Sequence, residues 1–182
     1  QLNLPIVPVT DMKIKNGDLI AATQGRGFWI MDDLSTLRQL DKDHAGAVHL
    51  YTPRPSYRIL SKGWDRSKGP AGTNPEEGVA LYYTLPDDLD DDASVELSVF
   101  KEGDDSAIWT WTREPGPDDE DASGDEPDTR VLSTDAGLNR YVWDLDYPGM
   151  KRFDGLILWS DMKTGPRAVP GQYRAELTVD GE

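Results

Sequence analysis

The chain has no cysteine and only two histidines. Without cysteine there is no disulfide framework, no thiolate nucleophile, and no thiolate-ligated zinc or iron–sulfur centre. No stretch approaches the ~18 apolar residues of a membrane-spanning helix. Basic residues are scarce: 19 Lys and Arg stand against 34 Asp and Glu, a formal charge of -15. Such a surface repels phosphates, which argues against a nucleic-acid or anionic-lipid partner. Several catalytic signatures are missing too. There is no His-Glu-x-x-His, no Gly-x-Ser-x-Gly elbow and no Gly-x-x-x-x-Gly-Lys phosphate loop.

What is present points to β-structure. A length of 182 residues suggests one domain, or one domain with an appendage. Six Trp, seven Tyr and three Phe supply large core side chains, while 13 Pro and 17 Gly break the chain into short segments. Asp outnumbers Glu by 25 to 9. That excess fits either a salty environment or acids concentrated in loops. The chain starts at Gln1 rather than Met. It ends on Asp180-Gly181-Glu182, a hairpin signal with no strand after it. Both ends therefore read as cuts in a longer protein.

Residues 12–31 read as a short meander. Met12-Lys13-Ile14-Lys15 alternates, Asn16-Gly17 is a type I′ turn signal, and Asp18 to Thr23 resumes the strand. Gly25-Arg26-Gly27 is a tight turn needing positive φ. Phe28-Trp29-Ile30-Met31 is apolar on both sides and calls for cover on both. The spacing of Leu34, Leu37 and Leu40 predicts a helical turn over 33–40, with an Asp or Ser as N-cap. His49-Leu50-Tyr51 opens a second region, and residues 61–78 read as a long loop. Alternating apolar faces follow at Val79/Leu81/Tyr83/Leu85, Val95/Leu97/Val99, Trp109/Trp111, Tyr141/Trp143/Leu145/Tyr147 and Tyr173/Ala175/Leu177/Val179. Period-2 patterns with one apolar face predict antiparallel strands covered on one side, and this number of them predicts a β-sandwich.

Candidate sites are few. Asp87, Asp88, Asp90, Asp91 and Asp92 offer hard oxygen ligands for calcium, without the spacing of an EF-hand; a solvated acidic turn is the alternative. Residues 117–128 carry seven acids and no large apolar side chain, as expected of a mobile loop. Trp109 and Trp111 share one side of a strand, and Tyr82 points away from the Leu81/Tyr83 face. These three rings form a candidate glycan-stacking set, with core packing the alternative for the two Trp. His44 and His49 lie near a linker with no companion ligands. No residue is assigned a catalytic role.

The residues also carry a resemblance. Leu4-Pro5-Ile6-Val7-Pro8-Val9-Thr10-Asp11, with Asp18-Leu19-Ile20-Ala21-Ala22-Thr23-Gln24-Gly25-Arg26-Gly27-Phe28-Trp29-Ile30-Met31-Asp32-Asp33, resembles the end of the propeller in large bacterial sortilin-like, BNR-repeat proteins often labelled glycosyl hydrolases. Gly137 to Gly149, Gly165-Pro166, Pro170-Gly171-Gln172-Tyr173 and Leu177 to Gly181 resemble the sandwich that follows that propeller. This sandwich is similar to the immunoglobulin-like domain of flagellar hook-capping proteins. The resemblance implies an all-β chain, with residues 1–40 ending a propeller and residues 45–182 forming an immunoglobulin-like or fibronectin-III-like sandwich. It also implies an extracellular or periplasmic location and a propeller partner in the same parent chain. The function it implies is a non-catalytic accessory module that packs on the propeller and binds glycan or protein. Two alternatives stay open: a hydrolase site at the propeller–sandwich junction, involving Arg26, Asp32 or Asp33, and a purely structural domain. No Asp-box repeat (Ser-x-Asp-x-Gly-x-Thr-Trp) occurs here, so the hydrolase label attaches to no residue of this chain.

Overall fold

The computed structural model of the chain describes residues 4–40, 46–58, 75–90, 93–113, 131–149 and 165–181. Within them the protein is built from three antiparallel three-stranded sheets and one short helix. Strands β1 (Val9–Lys15), β2 (Asp18–Thr23) and β3 (Phe28–Met31) form the first sheet in sequence order. Asn16 and Gly17, both with positive φ, close its first hairpin as the type I′ signal predicts. Gly25 and Gly27 take positive φ in the second turn.

Helix α1 (Ser35–Gln39) follows. Its cap position is not an Asp or Ser: Leu34 occupies it without a side-chain bond. Asp33 acts from one residue earlier, its Oδ1 accepting the Ser35 N–H at 3.0 Å. The first sheet and α1 are tied together, because Leu34 N–H donates to the Gly17 carbonyl at 2.8 Å. Gln39 ties the helix onward, exchanging two bonds with the Thr52 backbone at 2.8 and 2.9 Å.

Strands β4 (His49–Leu50), β5 (Val79–Leu85), β6 (Val95–Lys101), β7 (Ala107–Thr112), β8 (Gly137–Trp143) and β9 (Tyr173–Val179) make the other two sheets. Their orders are β4-β5-β8 and β7-β6-β9. The longest pairings join strands distant in sequence, from Val79↔Trp143 to Leu85↔Gly137 and from Val95↔Val179 to Lys101↔Tyr173. The chain therefore moves between these sheets after β5, after β7 and after β8.

One buried cluster draws on both. Leu81, Tyr83 and Leu85 of β5 join Val95, Leu97 and Val99 of β6, with Trp111, Leu132, Trp143 and Ala168. All but Leu132 and Ala168 are alternate positions predicted from the sequence. Of the outward residues of β6, Glu96 is exposed and Ser98 and Phe100 are half-buried.

The run from Tyr141 to Tyr147 does not continue as one strand. β8 ends at Trp143, and Leu145 sits at φ +68. Asp144 Oδ1 accepts the Asp146 N–H at 3.0 Å, a local turn that competes with strand geometry. The turned backbone then meets residues 165–168 through the Ala168 N–H to Leu145 carbonyl bond at 2.7 Å and an Asp146↔Arg167 bridge. This places the Asp146 carbonyl where both the Trp109 and Trp143 indole N–H groups reach it, at 2.7 and 3.1 Å.

Candidate functional site

A cleft of about 220 Å³ opens where the first-sheet linker meets the outward face of the second sheet. Three segments shape it. The turn after β3 contributes Asp32 and Asp33, the extended segment after β4 contributes Arg54, Ser56 and Tyr57, and the approach to β5 contributes Glu76, Glu77 and Gly78. The floor is made by Tyr82 of β5 and Arg140 of β8, which are register partners across the ladder. Strand alternation sends both outward, since Leu81, Tyr83 and Asn139 beside them point inward and are buried.

Asp33, Arg54, Glu76, Glu77 and Arg140 of this cleft each face an oppositely charged partner. Arg140 Nη1 donates to Glu76 Oε2 at 2.6 Å, and its guanidinium stands 6.0 Å from the Tyr82 ring centre. Burial works most strongly against the charge of Arg140, but the bond to Glu76, the Glu76 charge and Tyr82 together outweigh it, and its pKa is raised. Arg54 Nη1 donates to Asp18 Oδ1 at 2.8 Å and its Nε lies 3.8 Å from Asp33 Oδ2. Asp18 also accepts the Asp33 N–H at 2.9 Å. That backbone bond, together with Arg54, overcomes the opposing effect of burial and holds the Asp18 carboxyl below its usual value. Arg167 lies 3.7 Å from Glu77 Oε2 and 3.3 Å from Asp146 Oδ1. Ser56 donates its hydroxyl to the Gly78 carbonyl. Gly78 is required there: φ is +136, and a Cβ would collide with the Trp143 carbonyl.

The residues singled out in the sequence fall in different places. Tyr82 lies in the cleft. Trp109 and Trp111 lie on the third sheet, stacked at 6.0 Å with an interplanar angle of 17°. Trp111 is 4% exposed and packs on Tyr141 at 4.6 Å, so its ring faces belong to the interior. Trp109 is half-buried against the same cluster. The three aromatics therefore form no single platform. Asp87, Asp88 and Asp90 flank a turn after β5, Asp87 and Asp88 both exposed, with the Asp90 carbonyl accepting the Ala93 N–H at 3.0 Å. Asp91 and Asp92 lie outside the described residues, as do His44 and the 117–128 segment. Among the described residues no three His, Asp or Glu side chains gather as a metal site. His49 packs edge-on against Tyr51 at 4.7 Å. Arg26 stays in its turn, where its carbonyl accepts the Trp29 indole N–H at 3.1 Å.

Sequence reading missed Arg54, Tyr57, Glu76, Glu77 and Arg140. Part of the signal was there: Tyr82 and Arg140 each alternate with core residues of their strands. What the sequence lacked was the pairing that places them side by side. Comparison with protein-family models, with curated proteins and with solved structures finds no match to this chain.

Proposed function

We propose that this chain is a non-catalytic accessory module of a secreted sortilin-like, BNR-repeat propeller protein. The second and third sheets serve as an immunoglobulin-like β-sandwich, and the first sheet packs on the propeller. One observation carries this reading: the first sheet exposes large apolar side chains on both faces. The register puts Met12, Ile14, Leu19, Ala21, Trp29 and Met31 on one face, and Ile20, Ala22, Phe28 and Ile30 on the other, beside Asp11, Lys13, Lys15 and Asp18. Met12 is 64% exposed and Phe28 77%. A soluble two-faced sheet of this size exposes apolar area that ordinarily marks an interaction surface. Propeller blades stack on neighbours through both faces and have four strands. A three-stranded meander with exposed apolar side chains on both sides suits a blade completed by a further strand. The resemblance of residues 4–33 to the end of such a propeller points the same way.

The test is to sequence the reading frame upstream of Gln1 and titrate the encoded upstream domain against this chain. Asp-box blades upstream, with binding abolished by Met12→Asp plus Phe28→Asp, are expected. An unrelated upstream region, or binding indifferent to those substitutions, overturns the reading.

A second reading has one observation in its favour: Asp32, Asp33, Glu76 and Glu77 line a single cleft. Glycoside hydrolysis uses two carboxylates flanking one bond. If the junction is a hydrolase site, the joined propeller and module cleave aryl glycosides, and Asp32→Asn or Glu76→Gln abolishes turnover. Unchanged turnover in both variants, or none in the parent, removes it.

A further inference from the structure

We propose that the cleft between the linker and the second sheet binds a neutral saccharide, with one sugar ring seated between Tyr57, Tyr82 and Arg140. The inference stands apart from propeller docking, which uses the first sheet. It concerns binding, not turnover.

Size is the first argument. At about 220 Å³ the cleft falls below the roughly 300–1,000 Å³ of pockets that enclose drug-sized ligands. It has room for one ring of a longer chain whose other units lie in solvent, not for a nucleotide cofactor.

Charge is the second. Each guanidinium is already faced by a carboxylate, Arg140 by Glu76 and Arg54 by Asp18 and Asp33. An anion would have to displace those partners. A cation would find Asp33, Glu76 and Glu77 already facing arginine, which leaves only Asp32 of the lining outside these pairs, too few ligands for a cation site. What the pairs still offer is hydrogen bonding: a guanidinium has five N–H donors and a carboxylate about four acceptor sites, so pairing leaves both kinds available. Hydroxyl groups donate and accept, and a sugar ring carries several at fixed angles. The planar fork of Arg140 meets Glu76 on one side and approaches the Tyr82 ring on the other, so its remaining N–H groups face the cleft between them.

The aromatic rings are the third. Tyr57 is 88% exposed at the rim, and Tyr82 is half-buried in the floor. Exposed aromatic faces offer the apolar surface on which the C–H face of a pyranose stacks. Tyr82 and Arg140 sit opposite each other on paired strands, so the stacking face and the hydrogen-bonding fork share a rigid base.

The test is affinity electrophoresis of the whole chain in gels containing laminarin, xylan, galactomannan or dextran, with polylysine and heparin as charged controls. The expected result is retardation by at least one neutral polysaccharide that persists near 1 M salt, where the screening length is only about 3 Å. Tyr82→Ala and Arg140→Ala should each weaken binding at least about tenfold, or roughly 1.4 kcal/mol. Arg140→Lys should recover only part of the loss, since it keeps the charge and loses the fork. If Tyr82→Ala fails to fold, Tyr57→Ala decides, because so exposed a ring contributes little to the core. Three results would overturn the proposal: no retardation by any of the four neutral polysaccharides, binding confined to polylysine or heparin and lost in salt, or unchanged affinity in the folded Tyr57 and Tyr82 variants.

Discussion

Tyr83 shows how a single buried polar group ties stability to pH. Its hydroxyl donates to the Ser133 carbonyl at 2.6 Å, and burial, aided by the negative charge of Asp135, pushes its pKa up to about 12. In the unfolded chain the phenol ionises near 10. The group's contribution is therefore intact below about pH 10 and is lost as pH rises towards 12. Tyr83→Phe should flatten the alkaline limb of a urea-melt pH series and cost about 1 kcal/mol at neutral pH from the lost bond. An alkaline limb unchanged in the variant would mean another group governs it. Gly78 makes a different demand. With φ at +136 and the Trp143 carbonyl where a Cβ would sit, Gly78→Ala should destabilise by more than about 1 kcal/mol. Thermal melts give that value directly, and a neutral result would mean the backbone there yields freely.

At the scale of elements, the joint between the first sheet and the rest is polar, while the second and third sheets meet through apolar packing. Asp18 receives the Asp33 N–H and the Arg54 guanidinium, and α1 is bound at its far end to Thr52. The Asp18 carboxyl is held below its usual value, so its contribution is present above about pH 3.9 and fades as pH falls through the lower folded value. Asp18→Asn should lower stability at pH 7 and shrink the loss on acidification below about pH 4. Equal acid sensitivity in both proteins would count against the joint. The apolar packing predicts a larger effect. Leu97 is fully buried between the sheets, and Leu97→Ala should cost about 2–5 kcal/mol. On a chain of this length each kcal/mol lowers Tm by roughly 2–4 °C. A drop within experimental error would mean that the two sheets do not share a tight core.

For the whole molecule the dominant electrostatic fact is the charge of -15. Self-repulsion among exposed acids opposes compactness, and salt screens it. Tm should rise between about 0.01 M and 1 M salt, as the screening length shrinks from roughly 30 to 3 Å. A falling Tm would show that the attractive pairs, such as Arg54 with Asp18, outweigh the repulsion.

Much of this architecture was legible in the sequence, because period-2 alternation records which side of a strand is buried. Val95, Leu97 and Val99, like Leu81, Tyr83 and Leu85, are buried as the pattern predicts. Asn16-Gly17 marked its hairpin because few residues tolerate two successive positive φ angles. Alternation does not record which strands become neighbours. The pairing of β5 with β8 brings Tyr82 beside Arg140, and the fold of the linker carries Asp33 and Arg54 to the same cleft. The same limit applies to Trp109 and Trp111: sequence placed them on one side of a strand, and packing against Tyr141 turned that side inward. The end of β8 at Trp143 combines both: the local Asp144–Asp146 turn leaves strand geometry, and bonds from residues 165–168 hold the turned backbone at Leu145 and Tyr147. Local chemistry set faces and turns, and contacts between residues far apart in the chain set the cleft.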